Sequence, residues 1–285
     1  MAIDLAVASD GPTRRRLRRN LPAHGIAVHD LEVEGYVADL SRVAADRSAA
    51  YDVGYIFPPR IVEGAVLEVA LELPWVNDRQ AILTTRNKAA SLTILRRAGI
   101  PIPRTVHVSA PADAEAVREA FRSFDGPVVL KPNTTTRGVG HVRLTDEDSL
   151  RGVVDYLELI HSYPATADRS FLLQAFVPDA RDLRLTLIEG TVAGAVERRR
   201  DDGWVKNVHR GATPVSVDPP PAVVEVAEAA AAVLDIDLLG LDVLLTDDGP
   251  LVLEVNGRPT IDRVERYPST FYDRLASLIE RVAEG

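Results

Sequence analysis

Two apolar runs, LLGLDVLLT and PLVLEVN, flank Asp247-Asp248-Gly249 and limit what this chain can fold into more than any other feature. Such runs around an Asp/Gly turn read as a β-hairpin, and a three-residue loop puts Gly249 in the left-handed position. Loop length sets the register. With three loop residues Thr246 pairs with Pro250 and, counting outward, Asp242 lies opposite Glu254, about 5 Å away on one face. Facing carboxylates between apolar strands repel, and a hard cation bound by oxygen is the simplest compensation. Asn256 adds a neutral oxygen on that face. A two-residue turn at Asp248-Gly249 would instead slip the register by one and send the carboxylates to opposite faces, so a metal site and an ordinary hairpin both stand open from these residues alone.

A chain of 285 residues can bury a substantial core, as one large domain or two to three small ones. Its 46% hydrophobic and 26% charged residues are globular values. No apolar run nears the roughly 20 residues that span a bilayer, and MAIDLAVASDG lacks a basic leader pattern, so the expectation is a cytoplasmic protein with no membrane partner. Without cysteine there is no disulfide, thiolate nucleophile or zinc–thiolate site. A net charge of −9 argues against general nucleic-acid binding. Lysine occurs only at Lys88, Lys131 and Lys206, which singles those three out against an arginine background.

Along residues 1–85 strands and helices alternate: IDLAVAS, an Arg-rich helix, IAVHDLEV, DVGYIF, a helix near 62–73, and PWVND. That pattern predicts a small parallel α/β domain. Gly11 lacks the glycine spacing of a dinucleotide fingerprint, so no Rossmann cofactor site is expected there. Further on, a helix in NKAASLTILRR ends at Gly99, and the strand RTVHV leads to a helix over 112–124. GPVVLKP, HVRLT, a helix over 147–160, FLLQAFV, DLRLTLIEG and TVAGAVERRR follow, then helices over 221–234 and 270–282 around the hairpin. Strands cluster here, which predicts a mixed α+β unit. The expected divisions are 1–85, 86–175 and 176–285.

Several constellations suit phosphate chemistry. Lys131 ends an apolar strand before NTTTRGVG, where hydroxyls and the glycines Gly138 and Gly140 offer unobstructed donors. The order excludes a P-loop, and a plain glycine turn with a lysine at its rim is the alternative. Gln174 interrupts FLLQAFV, as a strand beside an adenine edge would allow; a strand-edge glutamine is the ordinary explanation. Asp182 and Arg184 share a strand face, while KNVHRG gathers Lys206, Asn207, His209 and Arg210. Converging arginines beside paired acids would clamp a transferring phosphoryl group; a surface ion-pair strip of Asp182, Arg184 and Glu197 is the alternative. His209 suits a general base or a structural role. TRRRLRRN, with Arg14, Arg15, Arg16, Arg18 and Arg19, reads as a solvated helix face or as a dock for an acidic carrier, protein acceptor or RNA.

Taken in order, NKAASLTILRRAGIPIPRT, PVVLKPNTTTRGVG, LLQAFV, DLRLTLIEGTVAGAVERR, WVKNVHRGA and GLDVLLTDDGPLVLEVNGRP resemble the ATP-grasp superfamily, most closely its RimK-like glutamate ligases, over about residues 75–260. The resemblance implies an ATP-grasp fold behind an N-terminal α/β domain. It implies ATP-dependent carboxylate–amine ligation through an acyl phosphate, with glutamate or another amino acid as a substrate and Mg2+, or Mn2+ in its place, as the metal. Nucleotide contacts are implied for Lys88, Lys131, Gly138, Gly140, Gln174, Ala175, Phe176, Val177, Asp182, Val205, Lys206 and Asn207. Arg184 and Arg210 are implied as catalytic clamps, and Asp242, Glu254 and Asn256 as metal ligands, with His209 and Arg258 near substrate. The chain departs from the pattern at Ala175, at HRGA and at GRPTID, where Arg258 adds a charge. A nucleotide-binding module altered in catalysis, with a regulatory or interaction role, is the second implied reading.

Overall fold

In a computed structural model of the chain, residues 2–8, 11–35, 51–135, 139–160, 168–200, 203–204 and 211–285 are described. They form three sheets. The first, in the order β2-β1-β3-β4, joins β1 (Ile3–Val7), β2 (Ile26–Asp30), β3 (Val53–Tyr55) and β4 (Trp75–Val76), all in parallel. Strands covered on both faces need near-continuous apolar sequence, which VGYIF supplies. Helix α1 (Pro12–Asn20) follows β1, and α2 (Ile61–Leu71) connects β3 to β4.

Next come α3 (Arg79–Arg86) and α4 (Lys88–Arg97), split at Asn87. Only the second is expected from the sequence. Asp78 caps α3 by accepting from Ala81 N at 2.8 Å, and Asn87 caps α4 by accepting from Ala90 N at 3.0 Å, each satisfying a donor the helix leaves free. The second sheet runs β5-β8-β6-β7, from β5 (Thr105–Ser109), β6 (Val128–Pro132), β7 (Val142–Leu144) and β8 (Ser170–Ala175), with antiparallel pairs throughout. Alternate residues Val128, Leu130, Phe171 and Leu173 pack against α5 (Ala114–Arg122) and α6 (Glu147–Ile160). The intervening residues, Lys131 and Gln174 among them, therefore face the other way.

The third sheet, antiparallel in the order β11-β10-β9-β12-β13, contains β9 (Arg181–Ile188), β10 (Thr191–Arg199), β11 (Thr213–Ser216), β12 (Leu238–Thr246) and β13 (Gly249–Asn256). Leu183, Leu185, Leu187, Leu239, Leu241 and Val243 turn one face onto α7 (Pro221–Leu234), whose Ala227, Ala230 and Ala231 allow close approach. The polar residues between them line the opposite face. Slipping β12 by one would expose Leu239, Leu241 and Val243, at roughly 1.5–3 kcal/mol each, so the core dictates which face is polar. Helix α8 (Phe271–Glu284) returns to the first sheet: Phe271, Leu275, Leu278 and Ile279 share a core with Leu5, Val7, Tyr55 and Val76, and with Ile188 and Leu238 of the third. Among the described residues no helix is long and apolar enough to cross a membrane.

Candidate active site

The hairpin reaches the expected pairing by an unexpected route. Thr246 pairs with Gly249 and Leu245 with Pro250, a loop one residue tighter than the sequence reading proposes. Between Asp242↔Glu254 and Val243↔Val252 the register shifts by one, leaving Leu253 extra on β13. This bulge cancels the tighter turn. Asp242 and Glu254 therefore do face one another, and Gly249, at φ 118°, takes the backbone that glycine allows.

Across the sheet the same rung continues. Asp242 pairs with Arg184, and Arg184 with Val196. Arg184 Nη1 donates to Asp242 Oδ1 at 2.5 Å. Arg198 of β10, which the sequence reading overlooks, reaches Asp242 Oδ2 at 3.1 Å and donates from Nε and Nη2 to Asp182 Oδ1 at 2.9 and 2.6 Å. The surface strip of Asp182, Arg184 and Glu197 does not form: Glu197 pairs with Arg181 and Arg199 on the other face. Burial works to raise the Asp242 pKa, but Arg184 and Arg198 overcome it and hold the carboxyl below its ordinary value.

Facing these acids are two buried lysines. Lys131 Nζ donates to Gln174 Oε1 at 2.8 Å, and Gln174 Nε2 donates to Thr105 Oγ1 at 2.9 Å. Gln174 is no edge residue, since β8 lies between β5 and β6. Burial pushes the Lys131 pKa down to about 8, with Glu254 opposing and Lys88 reinforcing the shift. Lys88, in the first turn of α4, lies 3.8 Å from Glu254 Oε1 and donates to the carbonyls of Asn133 (3.3 Å) and Thr135. Burial lowers its pKa too, against the pull of Glu254. Asn133 brings the lysines together: its Oδ1 accepts from Ala89 N at 2.9 Å and its Nδ2 donates to Asn87 Oδ1 at 3.1 Å, docking α4 onto the end of β6. The signal was visible only as an asparagine two residues after Lys131.

Gly140 has φ 78°, and a Cβ there would lie 2.9 Å from Pro132 Cγ, so glycine is needed twice over. The amides of Ala175 and Phe176 donate to Arg104 O at 2.8 Å and Pro127 O at 2.9 Å, and Val177 follows, half-buried like both. The Phe176 ring meets Trp204 edge-on at 6.1 Å and carries the Arg143 guanidinium at 5.2 Å. Arg258 turns toward the first sheet, donating to the carbonyls of Phe57 and Ala8. Of the basic run on α1, Arg14 and Arg18 pair with Asp30, and Arg16 donates to Ile261 O, while Arg15 and Arg19 are exposed. Gly138, Val205, Lys206, Asn207, His209 and Arg210 lie outside the described residues.

The acids fit a hard cation in chemistry. Asp242, Glu254 and Asn256 offer oxygen donors, as Mg2+ or Mn2+ prefers. Asn256 Nδ2 is buried without a hydrogen-bond partner, and exchanging the amide ends would put Oδ1 in its place. Among the described residues no cluster of three or more acidic, His or Cys side chains forms a cation site, so a metal here rests on two carboxylates and one amide.

Residues 85–279 match the model of the RimK-like ATP-grasp domain. A probable alpha-L-glutamate ligase of Enterobacter sp. (strain 638) is 30% identical over 213 residues, covering 73% of this chain and 68% of the relative. The ribosomal protein bS6–L-glutamate ligase of Escherichia coli O139:H28 is 29% identical over 194 residues, covering 67% of this chain and 62% of the relative. In fold, D-alanine–D-alanine ligase from Bacillus anthracis, solved with ATP, superposes with a TM-score of 0.72 over 99% of this chain and 98% of that one, at 15% identity. With two facing acids, two buried lysines and a family match over most of its length, the chain belongs to the RimK-like ATP-grasp family.

Proposed function

We propose that this protein is an ATP- and Mg2+-dependent carboxylate–amine ligase. One observation carries the reading: Asp242 and Glu254 face each other on the third sheet while Lys88 and Lys131, buried, close on them from α4 and the second sheet. Cations on one wall and oxygen ligands on the other suit a triphosphate with its metal.

In this reading Lys88 and Lys131 meet the phosphates, with Gly138 and Gly140 assigned to the same contacts. Phe176 and Trp204 border the adenine, whose polar edge meets backbone near Ala175–Val177. A substrate carboxylate oxygen attacks the γ-phosphorus, the bond to the bridging oxygen breaks, and ADP leaves with those electrons. The amine nitrogen then attacks the acyl carbon, phosphate departs, and the nitrogen gives up its proton. Arg184, beside the acids, and Arg210 balance charge on the transferring group. The metal supplies charge neutralisation at the phosphates. Asp182, Val205, Lys206 and Asn207 are assigned to the nucleotide and His209 to the acceptor. Two relatives are named for glutamate, which makes it the first amino acid to test. Arg15 and Arg19 offer an acidic acceptor an exposed cationic face.

The test is ADP release with ATP and Mg2+ over amino acids crossed with carboxylate acceptors, with mass spectrometry of each positive mixture. Condensation products are expected. Nucleotide binding with no ADP release for any pair would count against ligation.

A further inference from the structure

Gly257 and Arg258, directly after Asn256, are held by parts of the molecule remote from their own hairpin. Asn77 lies just past β4 at φ 62°, a left-handed backbone that Asn tolerates better than most residues, and is 5% exposed. Its Nδ2 donates to Leu238 O at 2.5 Å and to Gly257 O at 2.6 Å, and its Oδ1 accepts from Leu238 N at 3.2 Å. An amide has two N–H donors and a carbonyl acceptor, and all of that inventory is used; a carboxylate of the same shape has no donor to give. Leu238 opens β12 and Gly257 follows β13, so one side chain ties together the ends of the strands bearing Asp242, Glu254 and Asn256.

The tie is anchored from behind. Phe57 N donates to Asn77 O at 3.0 Å, and Arg258 donates to the carbonyls of Phe57 and Ala8, both past the carboxyl ends of first-sheet strands. Helix α3 closes the remaining side: a Cβ on Gly257 would lie 2.6 Å from Thr85 Oγ1 and 3.2 Å from Ala81 O. We infer that Asn77 is a positioning residue that fixes Asn256 through Gly257, so that cation affinity at the third sheet depends on a side chain of the first. This rests on the metal-site reading above. Asn77 touches no proposed ligand atom, and its effect passes through the backbone that carries Asn256.

Mn2+ titration followed by electron paramagnetic resonance, on the full chain with the non-hydrolysable analogue AMPPNP, tests it. Asn77→Ala should weaken Mn2+ binding at least about tenfold, and Arg258→Met should weaken it in the same direction. Leu17→Ala, a fully buried first-sheet core change away from the tie, should lower the melting temperature and leave Mn2+ affinity as in wild type. Wild-type Mn2+ affinity in Asn77→Ala overturns the inference, as does an equal loss in Leu17→Ala. Should Asn77→Ala fail to fold, unchanged affinity in Arg258→Met overturns it instead. A wild-type protein that binds no Mn2+ removes the metal-site reading itself, and this inference with it.

Discussion

On the second-sheet wall of the cleft Lys131 is 2% exposed and meets a neutral amide oxygen, Gln174 Oε1 at 2.8 Å. On the third-sheet wall Asp242, 5% exposed, meets two guanidinium groups at 2.5 and 3.1 Å. Burial disfavours both charges, but only the acid has close counter-ions. The lysine's pKa falls to about 8, whereas the acid stays below its ordinary value. The difference separates the two walls by what they lack. The lysine wall gains when an anion arrives, and the acid wall accepts a cation only in competition with Arg184, Arg198 and Lys88.

The contrast can be broken from either side. The largest effect is expected at Glu254, because Glu254→Gln removes a carboxylate from the proposed cation site. Turnover should fall by roughly a thousandfold, and steady-state ADP release at saturating Mg2+ checks this. Arg198→Met should come next, because it removes the guanidinium that Asp182 and Asp242 share. Breaking a buried pair costs about 3–5 kcal/mol, to be read as a lower midpoint in urea. Third, Lys131→Met should weaken ATP binding by roughly 10- to 100-fold, the worth of a hydrogen bond to a charged group. It should leave stability equal or higher, since a poorly compensated buried charge is gone, and calorimetric titration and melting curves separate the two.

The smallest effect sharpens the contrast through pH. A lysine whose folded pKa lies below its unfolded value destabilises the fold while charged, and that cost is present in full below pH 8. Between about 8 and the ordinary 10.5 the unfolded chain binds the extra proton, so stability contributed by this site rises with pH. Nucleotide affinity should move the other way, declining above pH 8 as Lys131 loses its charge, by less than tenfold per pH unit. In Lys131→Met that decline should be absent. A wild-type affinity flat from pH 7 to 9.5 would contradict the assignment of a lowered pKa to this lysine.

Much of this was legible in the sequence, for reasons that differ by residue. Period-two alternation with one apolar face made the Asp242–Glu254 pairing readable, even though the loop is one residue shorter than expected, because the core side chains enforce the face and the bulge at Leu253 absorbs the slip. Scarcity pointed to Lys88 and Lys131. Arg198 was hidden in ERRR, where sequence alone does not tell which arginine turns inward; its ion pairs with Asp182 and Asp242 decide it. Asn77, Asn87 and Asn133 read as loop residues because their partners are up to 180 positions away. Arg258 was expected near substrate, and its guanidinium finds carbonyl acceptors at the end of the first sheet. Helix α3 escaped because RQAILTTR mixes polar and β-branched residues and owes its start to the Asp78 cap.

The most direct measurement is calorimetric titration of AMPPNP into the wild-type chain and into Glu254→Gln, each with and without Mg2+. If the two walls hold anion and cation as described, Mg2+ tightens AMPPNP binding in the wild type and has little effect in Glu254→Gln. Binding that ignores Mg2+ in the wild type, or the same Mg2+ response in both proteins, would contradict the account.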